Sequence, residues 1–182
     1  MVWRNNFLEA SKVKCYLTLA FAICCISILS SCKIYSFTGA NIPSDIKTVT
    51  IDLFQNRANN GPANLGQLFT EKLKNKMVTE ANLRQVNFDG DLIFKGNITG
   101  YTFSSQAPTA QVQSGVNRLT ITMMVSFVNK RYPAESWKQP ETFSRYAEVG
   151  GTENLASVES RLVDEINRQL VDDIFTKALV KW

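Results

Sequence analysis

Residues 118–129 read RLTITMMVSFVN, and this stretch decides the fold. Its apolar positions fall on every second residue: Leu119, Ile121, Met123, Val125 and Phe127. Side chains along a strand point alternately to its two faces, so this spacing predicts a β-strand with one buried face. Such a strand is stable only beside other strands and beneath a covering layer. The segments on either side of it have to supply both.

Three further segments have strand patterns: Lys47–Phe54, Leu92–Phe103 and Thr142–Val149. A turn cluster follows the first of them, and a long polar loop follows the second. Gly96 and Gly100, inside the second segment, predict a bend, a bulge or the close approach of another backbone. Together with the stretch quoted above, these segments predict a sheet of about four strands.

Two segments have helical periodicity. In Leu65–Met77 the apolar residues are spaced by three and four, and Pro62 precedes them as a helix-start signal. Leu155–Trp182 predicts one long helix, with Thr152 or Asn154 as its N-cap. The resulting order is β-α-β-β-β-α. It predicts an α+β two-layer sandwich, in which a mixed sheet of about four strands carries two helices on one face.

The face of the sheet away from the helices is predicted to be open. Strict alternation from Phe94 places Tyr101 and Phe103 on that face. In the strand Thr142–Val149, the same alternation places Tyr146 on the face opposite to that of Phe143, which is again the open face. Aromatic side chains exposed on a sheet face indicate a protein docking surface. The alternative is that the loop after the second strand folds over them.

The N-terminal region ends in residues 29–32, LSSC, which is the pattern of a bacterial lipoprotein processing site. Basic residues precede the uncharged stretch of residues 15–29, which is shorter than the roughly 20 apolar residues of a membrane-spanning helix. We therefore predict a signal peptide of residues 1–31, cleaved between Ser31 and Cys32. Cys32 would then carry diacylglycerol and an N-acyl chain, and no other cofactor is predicted. The alternative is an uncleaved membrane anchor.

Cleavage at that point leaves a lipidated tether of residues 32–46 and a single domain of residues 47–182. The totals of 20 basic and 16 acidic residues fall to 17 and 15 without the signal peptide. This balance does not indicate a nucleic-acid-binding protein. The chain has no histidine, and its last cysteine is Cys32. A histidine-based triad and a Cys or His metal site are therefore excluded in the domain, and neither a metal nor an enzymatic activity is predicted.

These segments, in this order behind a lipoprotein processing site, resemble the lipopolysaccharide-assembly lipoproteins of the outer membrane, the LptE family, in its Bacteroidota-type branch. The resemblance rests on CKIYSFTGANIP from Cys32, VTIDLFQNRA from Val49, NRLTITMMVSFVNK from Asn117, the W-x5-F-S-R-Y spacing from Trp137, and LVDEINRQLVDDIFTKALVKW from Leu162. It covers nearly all of the chain after the signal peptide. None of these pieces is a catalytic motif.

The resemblance implies a role in binding and scaffolding. Members of the family partner a large outer-membrane β-barrel, the LptD-like translocon, and sit partly in its lumen as a plug and assembly factor. The complex inserts lipopolysaccharide into the outer leaflet, and some members bind lipopolysaccharide through basic residues near a loop end of the sheet. Lys33 follows the predicted acylation site, at a position where an acidic residue would favour retention of a lipoprotein in the inner membrane or its export to the cell surface. This favours the periplasmic face of the outer membrane, with attachment to the membrane through the lipid anchor.

Six residues in or near the predicted loops are charge-compatible or aromatic candidates for contact with lipopolysaccharide or the barrel: Arg118, Lys130, Arg131, Tyr132, Trp137 and Lys138. Cations beside aromatic rings suit anionic sugar-lipid headgroups or a barrel wall. The alternative is a solvated hairpin loop whose Trp137 packs on its own sheet.

Two other functions compete with this interpretation. A periplasmic lipoprotein that activates a cell-wall synthase or supports a secretion pore would have a similar small fold, and fold does not decide between such roles. A carboxylate-dependent hydrolase would need a pair such as Asp164-Glu165 and Asp172-Asp173, which a solvated helical face explains more simply.

Overall fold

The computed structural model describes residues 42–106, 115–151 and 153–180. The predicted signal peptide, its cleavage site and the predicted acylation site Cys32 lie outside these residues, as do Thr152 and most of the tether. None of the helices that the structure describes is long and apolar enough to cross a membrane.

The described residues form six strands and two α-helices. They are β1 (Thr48–Ile51), β2 (Gln55–Asn56), α1 (Leu65–Thr79), β3 (Arg84–Gln85), β4 (Leu92–Gln106), β5 (Val116–Asn129), β6 (Glu141–Gly150) and α2 (Leu155–Leu179). The α+β prediction is confirmed, with the four predicted strands and both helices in place. The two-residue strands β2 and β3 are additions, because segments this short carry no periodic pattern. Asn154 is the N-cap of α2, and its side chain accepts a hydrogen bond from the Ala156 amide at 3.0 Å.

The strands join in one mixed sheet of order β3-β1-β4-β5-β6. β1 pairs in parallel with both β3 and β4. After an interruption of the strand at residues 52–54, β2 continues along the same edge of β4. β4, β5 and β6 form an antiparallel meander. The two longest strands, β4 and β5, lie side by side in the interior of the sheet. β5, the strand quoted first, pairs along almost its whole length on both sides.

Both helices pack on one face of this sheet, as predicted. The buried residues of α1 recur every three or four positions: Leu65, Phe69, Leu73 and Met77. Those of α2 do the same: Leu162, Ile166, Leu170 and Ile174. They meet the alternate side chains of β5, which are all buried. Leu68, placed on the apolar stripe of α1 by its spacing, is exposed instead, because it lies where the two helices separate.

Close contacts hold the segment between β1 and β2, residues 52–54, against α1. The Thr70 hydroxyl donates a hydrogen bond to the Gly66 carbonyl at 2.6 Å and accepts one from the Phe54 amide at 3.0 Å. A Cβ on Gly66 would lie 1.9 Å from the Phe54 carbonyl oxygen, so only glycine fits there. The Phe54 ring in turn lies over Gly96 of β4. A Cβ on Gly96 would also lie 2.5 Å from the Met124 carbonyl oxygen of β5, in agreement with the predicted close approach of another backbone at one of the two strand glycines.

A β-bulge in β4 overturns one prediction. The pairing with β5 shifts between Ile98 and Gly100, so Tyr101 is opposite Ile121. One extra residue moves every later side chain to the other face of the sheet. Tyr101 and Phe103 therefore lie on the helix-covered face and pack against the core, where the prediction had them on the open face. The prediction for Tyr146 is consistent with the structure, in which it is half exposed.

Candidate functional site

The sheet face away from the helices is the largest feature not explained by the core. Among the described residues no helix lies on it, and only the turn of residues 86–91 crosses its β1 edge. There the Gly90 amide donates a hydrogen bond to the Thr50 hydroxyl at 3.0 Å. The remaining surface, here called the open face, consists of the outward side chains of β4, β5 and β6.

The open face carries mainly hydroxyl side chains, with isolated apolar side chains among them. Threonine and serine occupy most of its central rows, where Thr102 is paired with Thr120 and Thr122 with Ser144. On this face Met124 is 42% exposed, Val128 43% and Tyr146 51%. Such a mixed surface is soluble by itself and still offers apolar contact points to a partner.

Arg118 lies on the open face near the start of β5. Its Nε donates to Glu148 on β6 at 2.8 Å, and its guanidinium lies over the Tyr146 ring at 4.2 Å from the centroid. The ion pair and the cation–π contact hold the three side chains in one cluster. Twelve residues separate Arg118 from Lys130, which is about 40 Å along a strand. The structure therefore does not bring Arg118 together with the other candidate residues.

Three of the candidates that follow β5, Lys130, Arg131 and Tyr132, lie at the other end of the sheet, and each of the three contacts a carboxylate. Lys130 pairs with Asp89, and the Arg131 Nε donates to Asp91 at 2.8 Å. The Tyr132 hydroxyl donates to both carboxylate oxygens of Asp45 at 3.1 Å. Each of these contacts joins the loop after β5 to the segments before β1 or β4. An anionic ligand at this site has to compete with them.

Asp91 is the residue that joins most of these segments, and its side chain is largely buried. One of its oxygens accepts from the Lys47 and Thr48 amides and from the Thr48 hydroxyl, at 3.0, 3.0 and 2.8 Å. The hydrogen bonds from Lys47 and Thr48, with that from Arg131, lower the pKa of Asp91 well below its usual range.

Asn129, the last residue of β5, shapes the loop from within. Its buried side-chain oxygen accepts from the Arg131 and Tyr132 amides, and its Nδ2 donates to Glu135 at 2.9 Å. The pattern is a local amide-capped turn. A buried asparagine at the end of an apolar strand is the signal that sequence reasoning passed over.

Trp137 packs on its own sheet. Its ring centroid lies 5.5 Å from that of Phe127 and 5.6 Å from that of Phe143, and its amide donates to the Phe127 carbonyl. Lys177 of α2 lies over the same ring. Lys138, next to Trp137, is exposed. Trp137 thus fits the alternative of a structural tryptophan, and Lys138 remains a surface candidate.

The helical carboxylates do not form a catalytic pair in the described structure. Asp164 pairs with Lys72 at 2.8 Å and Asp172 with Lys76 at 2.9 Å, so both join α2 to α1. Asp173 faces the sheet instead, where Arg145 of β6 makes a two-pronged contact with it at 2.5 and 2.6 Å. These carboxylates connect elements, in keeping with their structural interpretation.

The bulge in β4 also creates a contact that no pattern in the sequence announced. It turns the Tyr101 hydroxyl towards α2, where it donates to Glu159 at 2.5 Å. Burial, and then the hydrogen bond to Glu159, raises the pKa of Tyr101. The Tyr101 ring lies under Gly61 of the loop before α1, where a Cβ would come within 2.8 Å.

Comparison with known proteins gives one family. The model of a family described as lipopolysaccharide-assembly, LptE, matches residues 46–178. The match spans both helices and all the strands described above. A search of curated proteins gave no match.

Solved structures similar to this chain include several bacterial lipoproteins. A minor lipoprotein from Acinetobacter baumannii is 18% identical, with a TM-score of 0.41 over 76% of this chain and 99% of that one. Lipoprotein B from Nitrosomonas europaea is 14% identical, with a TM-score of 0.46 over 78% and 86%. The rare lipoprotein B from Shewanella oneidensis is 14% identical, with a TM-score of 0.42 over 71% and 92%.

Proposed function

The chain belongs to the lipopolysaccharide-assembly family, LptE, and on that premise we propose that it partners and plugs a β-barrel translocon of the outer membrane. The barrel of this complex inserts lipopolysaccharide into the outer leaflet. The chain contributes binding and scaffolding, and catalyses no reaction. Acyl chains on Cys32 hold it at the periplasmic face of the outer membrane.

The open face of the sheet is the observation that carries this proposal. A sheet with helices on one side normally leaves a polar, solvated second face. Here Met124, Val128 and Tyr146 stand exposed among rows of hydroxyl groups. The interior of a membrane-spanning β-barrel is polar, and the hydroxyl rows suit hydrogen bonding to such a wall. The three larger side chains then supply the apolar contact points.

Direct contact with lipopolysaccharide is a second part of the proposal. Its phosphate groups bind cations, and Lys130, Arg131 and Lys138 all belong to the segment between β5 and β6, at one end of the sheet. Lys130 and Arg131 already pair with Asp89 and Asp91. A phosphate gains little by displacing a carboxylate of equal charge. We therefore assign the main role to the barrel contact and a lesser one to lipid binding by this loop.

Co-purification from membranes tests the barrel contact. Met124→Asp and Tyr146→Asp place a charge on the open face without touching the core. Each should reduce the amount of a large outer-membrane β-barrel recovered with the tagged chain by about tenfold, since burying an unpaired carboxylate costs more than about 1.4 kcal/mol. Circular dichroism checks that each variant is folded.

Val78→Asp is the matched control, because Val78 is equally exposed but lies on α1. It should leave recovery of the barrel unchanged. Equal recovery with all three variants would contradict the role of the open face. Recovery of a cell-wall synthase or a secretion pore in place of the barrel would support the competing functions.

A further inference from the structure

The N-terminal halves of α1 and α2 separate and leave a cleft of about 310 Å³. Leu68 and Lys72 line it from α1, and Val163, Asp164 and Asn167 line it from α2. A volume of this size is at the lower limit of known ligand sites. It admits one or two side chains and excludes a folded domain. The open face lies on the opposite side of the sheet.

Asn167 is the unusual residue of this cleft. Only 1% of it is exposed, yet neither Oδ1 nor Nδ2 has a hydrogen-bond partner within the part of the chain that the structure describes. Buried amide groups in folded proteins nearly always have partners. A leucine of similar size would fill the position without this cost. The unpaired donor and acceptor therefore point to an occupant that supplies the opposite groups.

The charged groups that line the cleft already have partners. Lys72 pairs with Asp164 across it at 2.8 Å, and the Glu159 carboxylate accepts a hydrogen bond from the Tyr101 hydroxyl. Since Glu159 leaves the cleft with one net negative charge, an anion is disfavoured, and a neutral occupant leaves the Tyr101–Glu159 contact in place. Asp164 lies one turn from Asn167 on the same side of α2. An occupant has to open the Lys72–Asp164 pair to reach the buried amide, and opening an exposed pair costs little.

We propose that this cleft binds a short extended peptide segment of a partner protein. An extended residue presents its own N–H and C=O on the same edge of the chain, where one can bond Oδ1 and the other Nδ2 of the Asn167 amide. The apolar side chain of a residue next to it covers Leu68, which is 43% exposed. The described residues that line the cleft include no aromatic ring for a sugar to stack on, which favours a peptide over a saccharide. The site is independent of the barrel contact on the open face.

The test uses the full chain in detergent micelles with labelled methyl and side-chain amide groups. The probe is N-acetyl-leucinamide, which presents two amide groups and one leucine side chain. We expect saturable NMR shifts of the Asn167 side-chain NH₂ and the Leu68 methyls. In Asn167→Leu and in Leu68→Ala the binding should weaken by roughly tenfold, through lost hydrogen bonds in one and lost apolar contact in the other. Leu68→Ala changes an exposed residue and keeps the test valid if Asn167→Leu does not fold.

Asn75→Leu serves as the control, because Asn75 is exposed on α1 outside the cleft; binding should persist in this variant. Methyl glucoside is the second probe and should produce no shifts. The proposal is overturned if N-acetyl-leucinamide gives no saturating shifts up to its solubility limit. It is equally overturned if only methyl glucoside binds, or if both cleft variants bind like the parent chain.

Discussion

The Asp91 carboxylate joins three segments of the chain, and we expect its contribution to the free energy of unfolding to be large for a single residue. It receives hydrogen bonds from Lys47, Thr48 and Arg131. Hydrogen bonds to a charged group contribute about 1.5–3 kcal/mol each when they are shielded from water. Asp91→Ala should therefore lower the free energy of unfolding by at least about 2 kcal/mol, as measured by urea denaturation.

Asp52→Ala is the matched control for this change. The Asp52 side chain forms an exposed ion pair with Lys95 at 3.2 Å, and such pairs contribute little to stability. The control should change the free energy of unfolding by less than about 0.5 kcal/mol. Equal effects of the two substitutions would show that Asp91 is an ordinary surface carboxylate.

The lowered pKa of Asp91 also predicts how its effect depends on pH. The folded chain holds the pKa below the value of about 3.9 in the unfolded chain, so at acidic pH the unfolded state binds more protons. The stability that Asp91 contributes is complete above that value and is lost as the pH falls below it. The difference in unfolding free energy between the parent chain and Asp91→Asn should therefore be constant above about pH 5 and shrink as the pH falls from about 5 to about 3. A difference that stays constant over this range would contradict the assignment.

Asn167 leads to a prediction of the opposite sign. A buried amide without partners costs about 1–3 kcal/mol, and a leucine in its place avoids that cost. Asn167→Leu should raise the free energy of unfolding by about 1 kcal/mol in the absence of a ligand. A loss of stability would show that the amide has partners that the structure does not describe.

At the scale of the element, β4 shows where sequence periodicity reaches its limit. The alternation places Phe94 and Ile98 correctly on the covered face. Gly96 and Gly100 predicted a bend, a bulge or the close approach of another backbone, but the pattern did not say which of these occurs or how the register continues after it. The structure resolves this in favour of burial, since Tyr101 and Phe103 join the core beneath α2 and the loop before α1.

A pair of truncations tests this register. Phe103→Ala removes a ring from the covered face and should cost about 2–3 kcal/mol of unfolding free energy. Tyr146→Ala removes a ring of similar size from the open face and should cost less than about 1 kcal/mol. Both are measured by urea denaturation at neutral pH. If Tyr146 proved the more costly of the two, the bulge would be misplaced.

The longer elements were predictable because their side chains repeat over many residues. α1 and α2 follow their apolar spacing, and β5 follows its alternation from end to end. The partners of Lys130 and Arg131 were not predictable, because Asp89 and Asp91 lie some forty residues earlier in the chain. The antiparallel pairing of β4 with β5, which puts Leu92 opposite Asn129, brings them together.

At the scale of the whole molecule, the proposed attachment to the membrane depends on acylation of Cys32. Cys32→Ser removes the thiol that is predicted to receive diacylglycerol, so the chain should no longer incorporate labelled palmitate or sediment with the outer membrane. Cys25→Ser, inside the predicted signal peptide, should leave both unchanged. Incorporation of palmitate into Cys32→Ser would contradict the predicted processing site.

The central claim is that this chain serves the delivery of lipopolysaccharide to the cell surface. The most direct measurement is to deplete the protein, label newly made lipopolysaccharide in a short pulse, and follow its accessibility at the surface. If the chain serves this delivery, we expect labelled lipopolysaccharide to accumulate inside the cell and the partner barrel to be lost or misassembled. Normal surface delivery, with the barrel folded and present in normal amounts, would contradict it.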